Sequence, residues 1–183
     1  MAKYIPRLAV LKENITMAKR LFLVLFIYTQ LVLLIPVSFG NTEATDTVAE
    51  NVRCPVCGMF VAKYPNWLAQ IHYDSPDKTK VFDGVKDMMV FYFNPQKYGG
   101  TSRETIKDIF VKDYYSLKSL KAKEAFYVIG SDVYGPMGHE LIPFESKEAA
   151  ESFSKDHLGK DILTFDQITP DLIESLRMNQ KMR

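Results

Sequence analysis

Only two cysteines and three histidines occur among the 183 residues, and this scarcity narrows the chemistry open to the chain. Cys54 and Cys57 are too close in sequence to staple a domain of this size, because closing so short a loop removes little unfolded-state entropy. His72, His139 and His157 show no H-x(3–5)-H spacing, so a structural zinc site would lack half its ligands. A net charge of +1, with Lys interspersed among Asp and Glu, gives no reason to expect nucleic acid. There is no Ser-His-Asp arrangement, no glycine-rich phosphate loop and no obvious carboxylate pair, so nothing argues for an enzyme.

Long apolar runs are lacking too, apart from one near the start. Leu21 to Val37 is broken only by Tyr28, Thr29, Gln30 and Pro36, which is slightly short for a transmembrane helix. Lys19-Arg20 precedes it and Ser38-Phe39-Gly40 follows, giving the basic, apolar, small-residue order of a secretory signal. We therefore read 1–40 as a signal peptide or N-terminal anchor, with Met17 a natural alternative start. The mature chain is expected to begin near Asn41, and membrane association is expected only if the segment is not cleaved. No cysteine precedes Cys54, so lipidation is not expected. Export places the thiols in an oxidising compartment, where a C-x-x-C pair is more chemical than structural.

The most informative stretch present is Cys54-Pro-Val-Cys57-Gly-Met59. Two thiols and a thioether in one turn favour Cu(I) over hard cations. Pro55 stiffens the turn and Gly58 lets it reverse. The same spacing occurs in thiol redox motifs and in half-sites for zinc. A redox motif, however, would follow a buried strand and open a helix, whereas a polar tail precedes Cys54. Met137, between Pro136 and Gly138 in a tight turn, has little to pack against locally. Met59 is equally readable as core filling, and Met88 and Met89 as core. His139 could offer an imidazole beside Met137, His72 reads as exposed, and His157 fits a helix C-terminus. Asp83 reads as a helix cap, too hard a donor to be a preferred Cu(I) ligand.

The sequence predicts an α+β fold of two small, related strand–helix units behind the leader. Residues 41–53 read as a flexible tether. The first unit, 54–96, alternates from Trp67 to Tyr73, turns at Ser75–Lys78, returns through Lys80–Phe82 and enters a helix from Val85 to Phe93. Gly99-Gly100 suggests a linker. The second unit, 103–168, holds β-rich Ile106–Tyr115, an inner strand Ala125–Ile129, the turn at Met137, a strand Glu140–Phe144 and a helix. Ser146 caps that helix, which runs to His157 with Gly159 as its stop, and Ile162–Phe165 is a possible short strand. In 169–183, Thr169-Pro170 begins a last helix whose apolar side is Leu172, Ile173 and Leu176.

Taken together, C-P-V-C-G-M-F-V, Phe82-Asp83-Gly84, Ala125-Phe126-Tyr127-Val128-Ile129-Gly130-Ser131, the G-P-M-G turn and Pro143-Phe144 resemble the NosL family of copper-binding accessory proteins of nitrous oxide reductase maturation. The resemblance runs from about Cys54 to Gly159. It implies two related units and a periplasmic Cu(I) metallochaperone, not an enzyme, supplying the copper–sulfide centre of that reductase. The implied partners are an ABC-type maturation complex and its periplasmic component. The ranking of metal ligands is Cys57, then Met137, with Cys54 and Met59 behind them. The absence of a lipobox cysteine departs from the family. Rival functions are an extracytoplasmic thiol-disulfide oxidoreductase using Cys54 and Cys57, or a copper storage or sensing module.

Overall fold

The computed structural model describes residues 19, 20, 23, 25, 26, 43–74 and 79–181. The expected cleavage site and Met17 lie outside them. The few described leader residues are helical, and no helix among the described residues is long and apolar enough to cross a membrane. Residues Thr42–Arg183 form one compact unit.

Two antiparallel sheets and three helices make this unit an α+β fold. The first sheet has the order β2-β1-β3-β4, with β1 Ala69–Tyr73, β2 Lys80–Phe82, β3 Ile106–Lys112 and β4 Ser119–Lys121. The second has the order β6-β5-β7, with β5 Phe126–Ile129, β6 Ile142–Phe144 and β7 Asp161–Thr164. The helices are α1 Val85–Phe93, α2 Lys147–Asp156 and α3 Pro170–Lys181. Helix α1 packs on β1, β2 and α3. Helix α2 packs across all three strands of the second sheet. Its cap is the one expected, the Ser146 side chain accepting from the Ala149 amide at 3.2 Å. Thr169 Oγ1 likewise accepts from Leu172 N at the head of α3, and Ile173 and Leu176 are buried.

The chain does not divide where the glycine pair stands. Strand β3 pairs with β1 along Gln70–Tyr73, so β3 and β4 complete the first sheet instead of opening the second. Gly100 is packed against Phe91 and the Tyr73 hydroxyl, which a free linker would not be. Asp113, just past β3, joins the sheets: its carboxylate accepts from the amides of Ser116 at 2.7 Å and Glu145 at 2.9 Å, and Tyr114 N donates to Pro143 O. One core holds Ile71, Phe82, Met88, Met89 and Phe91 together with Tyr127 and Leu141 of the second half. The expected core placement of Met88 and Met89 is what the structure shows.

Three local expectations change. All five residues of β1 are buried, His72 included, and the segment read as a tether is bonded to the strand. Gln70 exchanges two hydrogen bonds with the Thr45 backbone, and Asp46 pairs with Lys112. The left-handed residue ending α2 is Leu158 (φ 57), while Gly159 N bonds Ser154 O. The third change is at Asp83. The N-cap of α1 is Gly84 and no side chain caps it, which leaves the Asp83 carboxylate for other work.

Candidate metal centre

Seven of the nine residues of α1 are buried, and two of the seven, Lys86 and Asp87, carry charge. Buried charges persist only with partners, and these lead directly to the site.

The cysteine turn is closed at its stem. Cys54 N donates to Met59 O at 2.8 Å and Gly58 N to Cys54 O at 2.9 Å. Gly58 takes φ 78, a left-handed conformation that a β-carbon would strain. Arg53 stacks its guanidinium 3.8 Å from the Phe60 ring centroid and donates to Gly58 O at 2.7 Å. Both cysteines are free thiols, Cys54 buried and Cys57 half-buried.

The β2–α1 junction supplies the other half. Cys57 Sγ lies 3.2 and 3.4 Å from the two oxygens of Asp83, and Cys54 Sγ lies 3.6 Å from Asp87 Oδ2. One ligand atom from each of the four residues falls within 4.8 Å of the other three. Ligands around a four-coordinate ion, at about 2.3 Å for sulfur and about 2.0 Å for oxygen, stand about 3.3–3.8 Å apart. The donors therefore need only small movements to close on one ion.

Proton affinities follow from this crowding. The Cys57 thiol is pushed well above its ordinary range, first by its contact with Cys54, then by burial, with the Asp87 carboxylate adding to the rise. Burial raises the Asp87 carboxyl, the hydrogen bond from Cys57 opposes that, and the charge of Asp83 adds to it. The metal-free site thus holds protons that an incoming ion must displace.

Met137 belongs to a turn closed by Gly135 N to Gly138 O at 2.8 Å and by the reverse bond at 3.1 Å. Its carbonyl accepts from Lys86 Nζ at 2.7 Å, as does the His139 carbonyl. Lys86 is the neighbour of Asp87, so the turn is fastened to the helix end that carries the carboxylates. Met137 and Met59 are both half-buried, and Met59 closes the cysteine turn through its carbonyl. His139 is half-buried with its ring 5.0 Å from that of Tyr134. His72 contacts Gln70 and Phe110, while His157 bonds Asp132 and stacks on Phe153; neither belongs to the four-residue group.

Sequence reasoning missed Asp83 as a site residue and did not single out Asp87. The carboxylate pair held not to be obvious is this one, and its signal was the four-residue spacing across a helix start, which puts two side chains on one side.

The NosL family model matches residues 45–173. A copper-binding lipoprotein NosL from Stutzerimonas stutzeri is 23% identical over 144 residues, covering 76% of this chain and 68% of that protein. The crystal structure of the copper chaperone NosL from Shewanella denitrificans superposes with a TM-score of 0.60 at 25% identity, covering 70% of this chain and 97% of that one. The solution structure of apo-NosL from Achromobacter cycloclastes, 28% identical, gives a TM-score of 0.43 over 57% of this chain and 87% of its own. With the family model matched over well beyond half its length, the chain belongs to the NosL family.

Proposed function

We propose that this chain is a periplasmic Cu(I) chaperone that binds the ion on Cys57 and Met137, with Cys54 and Met59 completing the soft donor set, and delivers it for assembly of the copper–sulfide centre of nitrous oxide reductase. The observation that carries the reading is the pair of free thiols in a closed turn, facing the end of α1 to which the Met137 turn is fastened. Thiolate and thioether select Cu(I). Half-exposure of Cys57 leaves the ion approachable, so an acceptor's ligand can attach before the last donor leaves. Its partners on this reading are an ABC-type maturation complex and its periplasmic component. The lipoprotein relative supports export to the membrane periphery.

The oxidoreductase alternative gains nothing from the geometry, since the cysteine turn closes back on Met59 and opens no α-helix whose N-terminus could favour a thiolate. One observation does favour a second reading. Asp83 and Asp87 bring the donor count to the two sulfurs and two oxygens that suit tetrahedral Zn(II).

Deleting the gene in its host tests delivery. Nitrous oxide reductase should then be deficient in its catalytic copper centre, most severely when copper is scarce. Full copper loading under limiting metal would exclude delivery and leave storage.

A further inference from the structure

Lys86 is the least expected residue of α1. It is fully buried, yet it lies in the first turn of a helix otherwise occupied with core packing. Its ammonium group spends two donors on loop carbonyls two residues apart, Met137 O and His139 O, both at 2.7 Å. Glu140, buried beside it, answers from the loop side: Oε1 accepts from Lys86 N at 2.5 Å and from Leu141 N at 3.0 Å. The two residues therefore cross-link the same helix turn and the same loop in both directions. The backbone on each side is cut back to receive them. A β-carbon on Gly84 would collide with Glu140 Oε2, and one on Gly135 would stand 3.0 Å from Glu140 Cγ.

Such an arrangement is costly where packing alone would serve, because an ammonium group and a carboxyl are both taken out of water, and burial pushes the Glu140 carboxyl up to about 8. What it provides is a fixed position. The lysine reaches from the residue next to Asp87 to the peptide of Met137, and so sets where that methionine stands relative to the cysteine turn. We propose that Lys86, with Glu140 as counterpart, is a positioning residue that holds the G-P-M-G turn in register with the thiols, so that Met137 can share their ion. The inference rests on the copper reading given above.

The test pairs two measurements on the full chain. The variant Lys86→Met retains length and loses the donors; because it strands a buried carboxylate, it is made alone and with Glu140→Gln, which keeps an acceptor for both amides. In the metal-free protein, carbon-13 methyl spectra of the methionines should show the Met137 signal moving towards its value in a flexible peptide, while Met88 and Met89 keep their core positions. Cu(I) affinity, set against a competing chelator, should fall about 10–100-fold, as for loss of a group that orients a metal ligand. In a Met137→Ala background the same change should cost almost nothing further.

An unmoved Met137 methyl signal overturns the proposal, as does an affinity loss of equal size in both backgrounds. Cys57→Ser serves as the control on the underlying reading. If it binds Cu(I) as the native chain does, the copper assignment fails, and the methyl spectra still decide whether Lys86 holds the turn.

Discussion

Cys57 Sγ and Asp83 Oδ1 stand 3.2 Å apart, joining the second thiol of the cysteine turn to the residue that links β2 to α1. Through this contact and that of Cys54 with Asp87, a reactive loop becomes part of a fixed structure. The Cys57 thiol, held among these groups, keeps its proton until a metal takes its place.

The carboxylates should therefore restrain thiol reactivity. Asp87→Asn removes a negative charge and a hydrogen bond that both raise the Cys57 pKa. The thiolate fraction at neutral pH should rise and alkylation by iodoacetamide should accelerate. Equal or slower alkylation would show that Asp87 does not act on Cys57.

Metal affinity should depend on pH in one direction. Cys57 holds its proton above the ordinary thiol range, so throughout the neutral region Cu(I) must displace it. Affinity should climb as pH rises, by about tenfold per unit for each proton displaced. Chelator competition at several pH values measures the slope, and a flat profile would contradict the proton-holding site.

Much of the fold was legible, and the failures have a common cause. Helix α1 was readable to its ends because an apolar run follows Asp83-Gly84 and stops at Asn94-Pro95, although Asp83 is not its cap, and the Ser146 and Thr169 caps act locally. What sequence could not show was anything settled by distant contact. The alternation in β1 predicted a polar face, but Thr45 bonds Gln70 there and Phe110 packs on His72, and both are buried. Gly99-Gly100 looked like a linker because a small residue for flexibility and a small residue for close packing read alike. The two cysteines of the four-residue group could be named from their spacing, whereas Asp83 resembled an ordinary cap.

Burial of His72 gives a second pH effect, on stability. Desolvation lowers its pKa below the usual 6.5, with the charge of Asp108 opposing and that of Lys121 assisting. The unfolded chain then binds the proton more readily than the folded one. Stability is full above pH 6.5 and is lost as pH falls through that value towards the lower folded-state pKa. His72→Gln should flatten this part of the stability profile, as read from denaturant midpoints; an unchanged slope would mean that His72 titrates freely.

Gly84 should tolerate no side chain. In Gly84→Ala the new methyl group meets Glu140 Oε2, and the carboxylate must shift from the Lys86 amide. Overpacking of this kind costs about 1–3 kcal/mol, to be read from urea unfolding. A variant as stable as the native chain would show that the contact is loose.

On the proposed function, soft donors on the cysteine turn and the Met137 turn bind Cu(I). Titration of the reduced protein against a competing Cu(I) chelator, with Cys57→Ser and Met137→Ala in parallel and Zn(II) as competitor, tests it most directly. One Cu(I) should bind tightly per chain, with binding abolished by Cys57→Ser, weakened less by Met137→Ala, and not displaced by Zn(II). Unchanged affinity in both variants, or displacement of Cu(I) by Zn(II) onto the two thiolates and two carboxylates, would contradict it.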